Sequence, residues 1–137
     1  MKQSKYIYAI FEFLILALVL LISFTVLNSE YLFGWAAHNW KFYLILSSVA
    51  LLFLILKKRL VSVFMTIGIT TGIFVGNYLG ALIKSYNESK ILDGMKAEEI
   101  YGLRHHPGFE IWISIIILFI VIGVIMQITV KKKRFNI

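Results

Sequence analysis

Residues 57–83, KKRLVSVFMTIGITTGIFVGNYLGALI, decide the fold. Three cations are followed by 24 residues, Leu60 to Ile83, that carry no charge. At 1.5 Å of rise per residue, about 20 apolar residues in a helix cross a hydrocarbon core of ~30 Å. A lone strand would leave its backbone groups unpaired in lipid, so the run must be helical. Within it Gly68, Gly72, Gly76 and Gly80 recur at every fourth position. That spacing puts all four on nearly one face, where missing side chains let another backbone approach closely. The face serves either as a packing seam inside the chain, or as a surface for self-association or the lining of a pore. A helical bundle needs an internal seam in any case, which favours the first reading.

Outward from this segment the pattern repeats. Upstream lie Trp40–Leu56, a short run with Lys41 near its edge, and Tyr6–Leu27, interrupted only by Glu12. Downstream lies Phe109–Val130, with Glu110 at its lip. Lys41 and Lys57 extend the short run by laying their stems along the helix and their ammonium groups in the interface. The expectation is an all-α integral membrane protein, a single domain over residues 1–137. Its four transmembrane helices cover approximately 6–27, 40–56, 60–83 and 109–130. A composition of 60% hydrophobic residues agrees, since a soluble domain holds roughly 45–50%.

Lys and Arg counts set the orientation. Lys2, Lys5, Lys57, Lys58, Arg59, Lys131, Lys132, Lys133 and Arg134 all fall on one side of this arrangement. Six of the seven acids fall on the other. The basic side is cytoplasmic, so both termini are inside. The expected location is a plasma membrane, and Lys-, Ile- and Phe-rich usage suggests a bacterial one. The first span is expected to be retained: its apolar run exceeds that of a signal peptide, and Ser23–Glu30 holds no Ala-x-Ala pattern. A net charge of +7 split into blocks beside apolar runs is a topology signal and argues against nucleic-acid binding. The block Lys131–Arg134 would hold anionic lipid. No cysteine is present, which excludes disulfides, thiolate metal sites and cysteine nucleophiles.

The outer loop, 84–108, is the one sizeable soluble piece. Asp93–Arg104 is expected to form a short amphipathic helix, capped by Asp93 and ended by Pro107, with Ala97, Ile100, Tyr101 and Arg104 on one face.

Three groups of polar residues are candidate sites. Glu12 lies about 9 Å inside the first span, and an intramembrane acid is by default a functional hypothesis. Thr66 and Gln127 lie at depths from which they could bond it, forming a site for proton or cation coupling. The competing reading is an acid satisfied structurally by Thr66, Gln127 or Arg59. The outer histidines His38, His105 and His106, with Glu110, are candidate metal ligands or pH-responsive groups, against the plainer reading of interface histidines paired with Glu98, Glu99 or lipid headgroups. Adjacent side chains on a helix point apart, which opposes joint ligation by His105 and His106. Ser23, Ser47, Ser48, Asn77 and Ser114 sit at matching depths and suggest a polar inner layer.

In span count, and in the acid within its first span, the stretch around Glu12 resembles the small four-span multidrug transporters. Those proteins join their spans by short loops, whereas 25 residues separate Ile83 from Phe109 here. No residue role is carried over.

No nucleotide loop or nucleophile–base pair occurs, and Glu12 is separated from His105, His106 and Glu110 by the bilayer. The expectation is therefore a non-enzymatic protein without cofactor, acting through helix packing and contacts. An accessory subunit, an immunity protein or a membrane-stress protein would fit. Its partners would be the bilayer and another membrane protein or a second copy. The alternative is a small oligomeric proton- or cation-coupled transporter or channel using Glu12.

Overall fold

The computed structural model describes residues 2–135, with side chains for 6–133. The side chains of Lys2, Lys5, Arg134 and Phe135 lie outside the described residues. Six helices are formed among the described residues and no strand. They are α1 (Lys2–Phe24), α2 (Tyr31–His38), α3 (Trp40–Ile55), α4 (Arg59–Glu88), α5 (Ala97–Leu103) and α6 (Gly108–Phe135). Three of them, α1, α4 and α6, are long and apolar enough to cross a membrane, and α2 with α3 makes a bent pair that passes the same test. The bundle is thus all-helical with three to four candidate spans.

The central packing is α4 on α6, the most extensive contact in the molecule. The four glycines line it. A Cβ on Gly68 would meet Cβ of Phe119 at 3.0 Å, and one on Gly72 would meet the Trp112 ring at 3.0 Å. One on Gly76 would lie 2.6 Å from the Gly108 carbonyl oxygen, and one on Gly80 would lie 2.5 Å from the His106 ring. Gly123 answers from α6, where an added Cβ would come within 3.0 Å of the Val61 Cα. The glycine face is occupied by the same chain's α6. The Trp112 indole lies on this seam fully buried and donates to the Ile69 carbonyl at 3.0 Å.

α3 also packs on α4, and α1 leans on the assembly through one stripe: Glu12, Leu16, Val19 and Ser23. These fall at i, i+4, i+7 and i+11, a narrow helical seam. Tyr43 on α3 donates its hydroxyl to the Leu16 carbonyl at 2.7 Å and ties α3 to α1.

Residues 28–39 differ from the expected plain connection. They contain α2, which meets α3 at 87° and tucks Leu32, Phe33, Ala36 and Ala37 into the end of the bundle. Its first turn is completed from another helix: Asn77 on α4, fully buried, accepts the Leu32 N–H at 3.0 Å and donates to Glu30 at 3.0 Å. Asn77 thereby supplies the acceptor that an N-cap side chain ordinarily provides. The expected second span is also shorter than drawn, since α3 ends at Ile55. Its turn into α4 is closed by Lys58 N–H to Phe53 O and Lys57 N–H to Leu54 O, with Lys57 at φ 64°. That is a Schellman ending with lysine where glycine is preferred.

Two further elements depart from expectation. α4 continues to Glu88, giving a helix of 30 residues, ~45 Å long, whose last turn runs past Ile83. The loop helix starts at Ala97 with Lys96 as its N-cap, leaving Asp93 outside it. Its expected face does not rest on the bundle, because Ala97, Tyr101 and Arg104 are exposed and only Ile100 is half-covered. Pro107 acts at the start of α6, where its carbonyl accepts the Ile111 N–H, rather than as the stop of α5.

Candidate functional site

The Glu12 pocket lies between α1 and the first two turns of α4. Ser62 and Thr66, four residues apart on one face of α4, both donate to Oε1 of Glu12 at 2.7 Å. Glu12 is 5% exposed, and its Oε2 is buried without a hydrogen-bond partner among the described residues. One oxygen of the carboxyl is saturated and the other has nothing, an uneven arrangement for a group whose burial is costly when unmet. Arg59 does not close it. Its guanidinium lies over the Tyr8 ring, 4.9 Å from the centroid, one turn nearer the basic end than Glu12.

Thr66 meets Glu12, but Gln127 does not. Gln127 accepts the Leu60 N–H at 3.0 Å and so caps α4 from α6. The second hydroxyl at the acid is Ser62, which the sequence reading missed. The signal was present: Ser62 stands four residues before Thr66, hence on the same helical face.

The other end of the bundle holds the histidines, and they diverge. His105 is exposed and pairs with Glu110, Nε2 to Oε1 at 3.0 Å. His106 turns inward, 7% exposed, and stacks on Tyr31 with ring centroids 4.1 Å apart. Its Nδ1 accepts the Gly108 N–H at 3.0 Å, at the first residue of α6. Burial, followed by the nearby Lys84 and His105 charges, pushes the His106 imidazole below its usual value, while Glu110 and an Asn77 backbone hydrogen bond act the other way. His38 stands apart, exposed on a cavity of about 440 Å³ that Phe24, Asn28, Gly34 and Trp40 also line. Among the described residues no group of three or more His, Asp or Glu side chains is placed to hold a metal ion.

The expected polar layer is not formed by the serines. Ser23 donates to its own helix at the Val19 carbonyl, and Ser114 to the Glu110 carbonyl. Ser47 Oγ is buried without a partner among the described residues, and Ser48 is exposed. Of these five residues only Asn77 bonds across elements.

Comparison of the chain with protein-family models, curated proteins and solved structures finds no match.

Proposed function

We propose that the chain crosses a bacterial plasma membrane four times, both ends cytoplasmic, and acts by contacts with another membrane protein. The observation that carries this is how the chain distributes its apolar surface. α4 spends its small-residue face on α6, while α1, α3 and α6 turn Ile10, Phe13, Leu14, Leu18, Ile45, Leu52, Leu118 and Ile125 outward, each at least 40% exposed. A single soluble domain rarely shows so much contiguous apolar surface, and a bilayer or a partner helix would cover it.

The orientation is supported by geometry at one end. Arg59 reaches Tyr8 of α1, and Gln127 of α6 bonds the start of α4, so the α3–α4 turn lies beside the first turns of α1 and the last turns of α6. The basic blocks therefore share an end, as the positive-inside rule requires. α1 and α3 form an apolar groove between them, lined by Ala9, Ile10, Phe13, Leu51 and Leu54, which suits a partner helix.

The test is photo-crosslinking from Phe13 in native membranes, followed by native mass analysis in mild detergent. A discrete second protein captured there supports the reading and names the role. Transport of a solute by the purified chain alone would overturn it.

A second reading, a small oligomeric proton- or cation-coupled transporter or channel, is favoured by the unpartnered oxygen of Glu12. Under that reading Glu12→Gln abolishes flux in liposomes and leaves expression unchanged. Wild-type flux equal to that of empty liposomes removes it.

A further inference from the structure

The carboxyl of Glu12 is met by hydroxyl donors on one oxygen only, and no described cation pairs with it. If the acid is ionised, its charge is uncompensated in an apolar bundle. If it carries a proton on Oε2, that proton has no acceptor. A bound cation resolves both deficits, because it compensates the charge and takes lone pairs instead of needing one.

The donor set defines the cation. Glu12, Ser62 and Thr66 offer oxygen alone, and each hydroxyl keeps acceptor lone pairs besides the proton it donates. Oxygen ligands select hard ions and disfavour zinc or copper, which favour nitrogen and sulfur. One carboxylate matches a single positive charge. The nearest acid in sequence, Glu30, is held by Asn77, about three turns further along α4 than Thr66. Calcium or magnesium would therefore leave an excess charge. Potassium is commonly stripped of water by rings of carbonyls, which a three-side-chain site between two helices does not provide.

We infer that Glu12, Ser62 and Thr66 form a sodium-binding site between α1 and α4, one helical turn inside the Tyr8–Arg59 contact. The inference rests on the bilayer-spanning reading above and not on the choice between contact and transport roles. Arg59, held over the Tyr8 ring, lies one helical turn toward the basic end from this site.

The test uses the full chain in mild detergent, with its three tryptophans reporting thermal unfolding in sodium, potassium or choline chloride at equal ionic strength. Sodium alone should raise the melting temperature of the wild type. The rise should vanish in Glu12→Gln and shrink in Thr66→Ala, where the carboxyl remains. A second measurement locates the ion. A hydrophobic carbodiimide labels Glu12, read by peptide mass, and sodium should slow the labelling roughly tenfold at about ten times its dissociation constant. Melting curves that coincide in the three salts overturn the site, as does labelling that proceeds equally in all of them, which marks a carboxyl that takes only a proton. Release of the chain from its native membranes by alkaline carbonate would instead refute the bilayer reading, whatever sodium does.

Discussion

The imidazole of His106 lies on the phenol ring of Tyr31, centroids 4.1 Å apart and planes 18° from parallel. Tyr31 opens α2, and His106 accepts the first N–H of α6. One ring therefore joins two helix starts, and it fits between Gly80 and Gly108 because neither carries a Cβ.

That junction makes this end of the bundle sensitive to acid. The folded-state value of His106 is depressed, so the unfolded chain takes up the proton first as pH falls. The neutral ring contributes stability that is fully present above the ordinary histidine range, about 6.5, and is lost as pH falls through the lower folded value. Protonation would also remove the Nδ1 acceptor and place a cation at the positive end of α6. Melting temperature should drop between pH 7.5 and 5, and His106→Phe should flatten that drop while keeping the stack. A profile unchanged by His106→Phe would assign the acid sensitivity elsewhere.

Asn77 has a comparable role toward α2. It is the acceptor for Leu32 N–H and the donor to Glu30, and it is wholly buried. Asn77→Ala leaves an amide N–H and a carboxylate without their partner, a loss of about 1–3 kcal/mol. Because the chain has no cysteine, Ala36→Cys gives a clean probe of α2 docking. The Ala36 site is 0% exposed, so maleimide should react slowly in the parent and quickly once Asn77 is alanine. Equal rates would show that α2 is held by its apolar face alone.

These contacts also explain what could be read from the sequence. The long helices were legible because hydropathy over a span's length is unambiguous, and the row Gly68–Gly80 announced a close seam before any partner was visible. α2 was not legible. Eight residues are too few for a span signal, and Tyr31, Phe33 and Trp35 look like an interfacial belt. Its completed first turn depends on Asn77, 45 residues away from Leu32. Depth along a helix located Thr66 but misplaced Gln127, since depth fixes the level and not the facing direction. Ser23 and Ser114 satisfy themselves on their own helices, which residue type and depth cannot distinguish from bonds between helices.

The seam predicts an asymmetric glycine series. A methyl on Gly76 has the Gly108 carbonyl oxygen at 2.6 Å and Leu32 Cδ2 at 2.9 Å, and a backbone oxygen on a packed helix cannot step aside. Gly76→Ala should cost about 1–3 kcal/mol. Gly102 in α5 has open space around the same position, so Gly102→Ala should be neutral or stabilising by up to about 1 kcal/mol. Denaturation in mixed micelles measures both. Comparable gains at the two sites would mean that helix propensity and not close packing governs them.

Lys57 offers the opposite sign. It holds φ 64° at the end of α3, a left-handed conformation that costs a residue with a Cβ roughly 1–2 kcal/mol. Lys57→Gly relieves that strain but frees the unfolded chain, so a net gain of about 0.5–1 kcal/mol is expected. The Lys58 N–H to Phe53 carbonyl bond at 2.8 Å closes through backbone atoms, and the turn survives the change. Under the proposed four-span orientation, removing one cation from the Lys57-Lys58-Arg59 block leaves enough positive charge to hold it, so cysteines at Ser89 and Lys131 should label from opposite sides of the membrane in both proteins. A loss of stability in Lys57→Gly would mean that the lysine side chain supports the turn in a way its backbone geometry does not indicate.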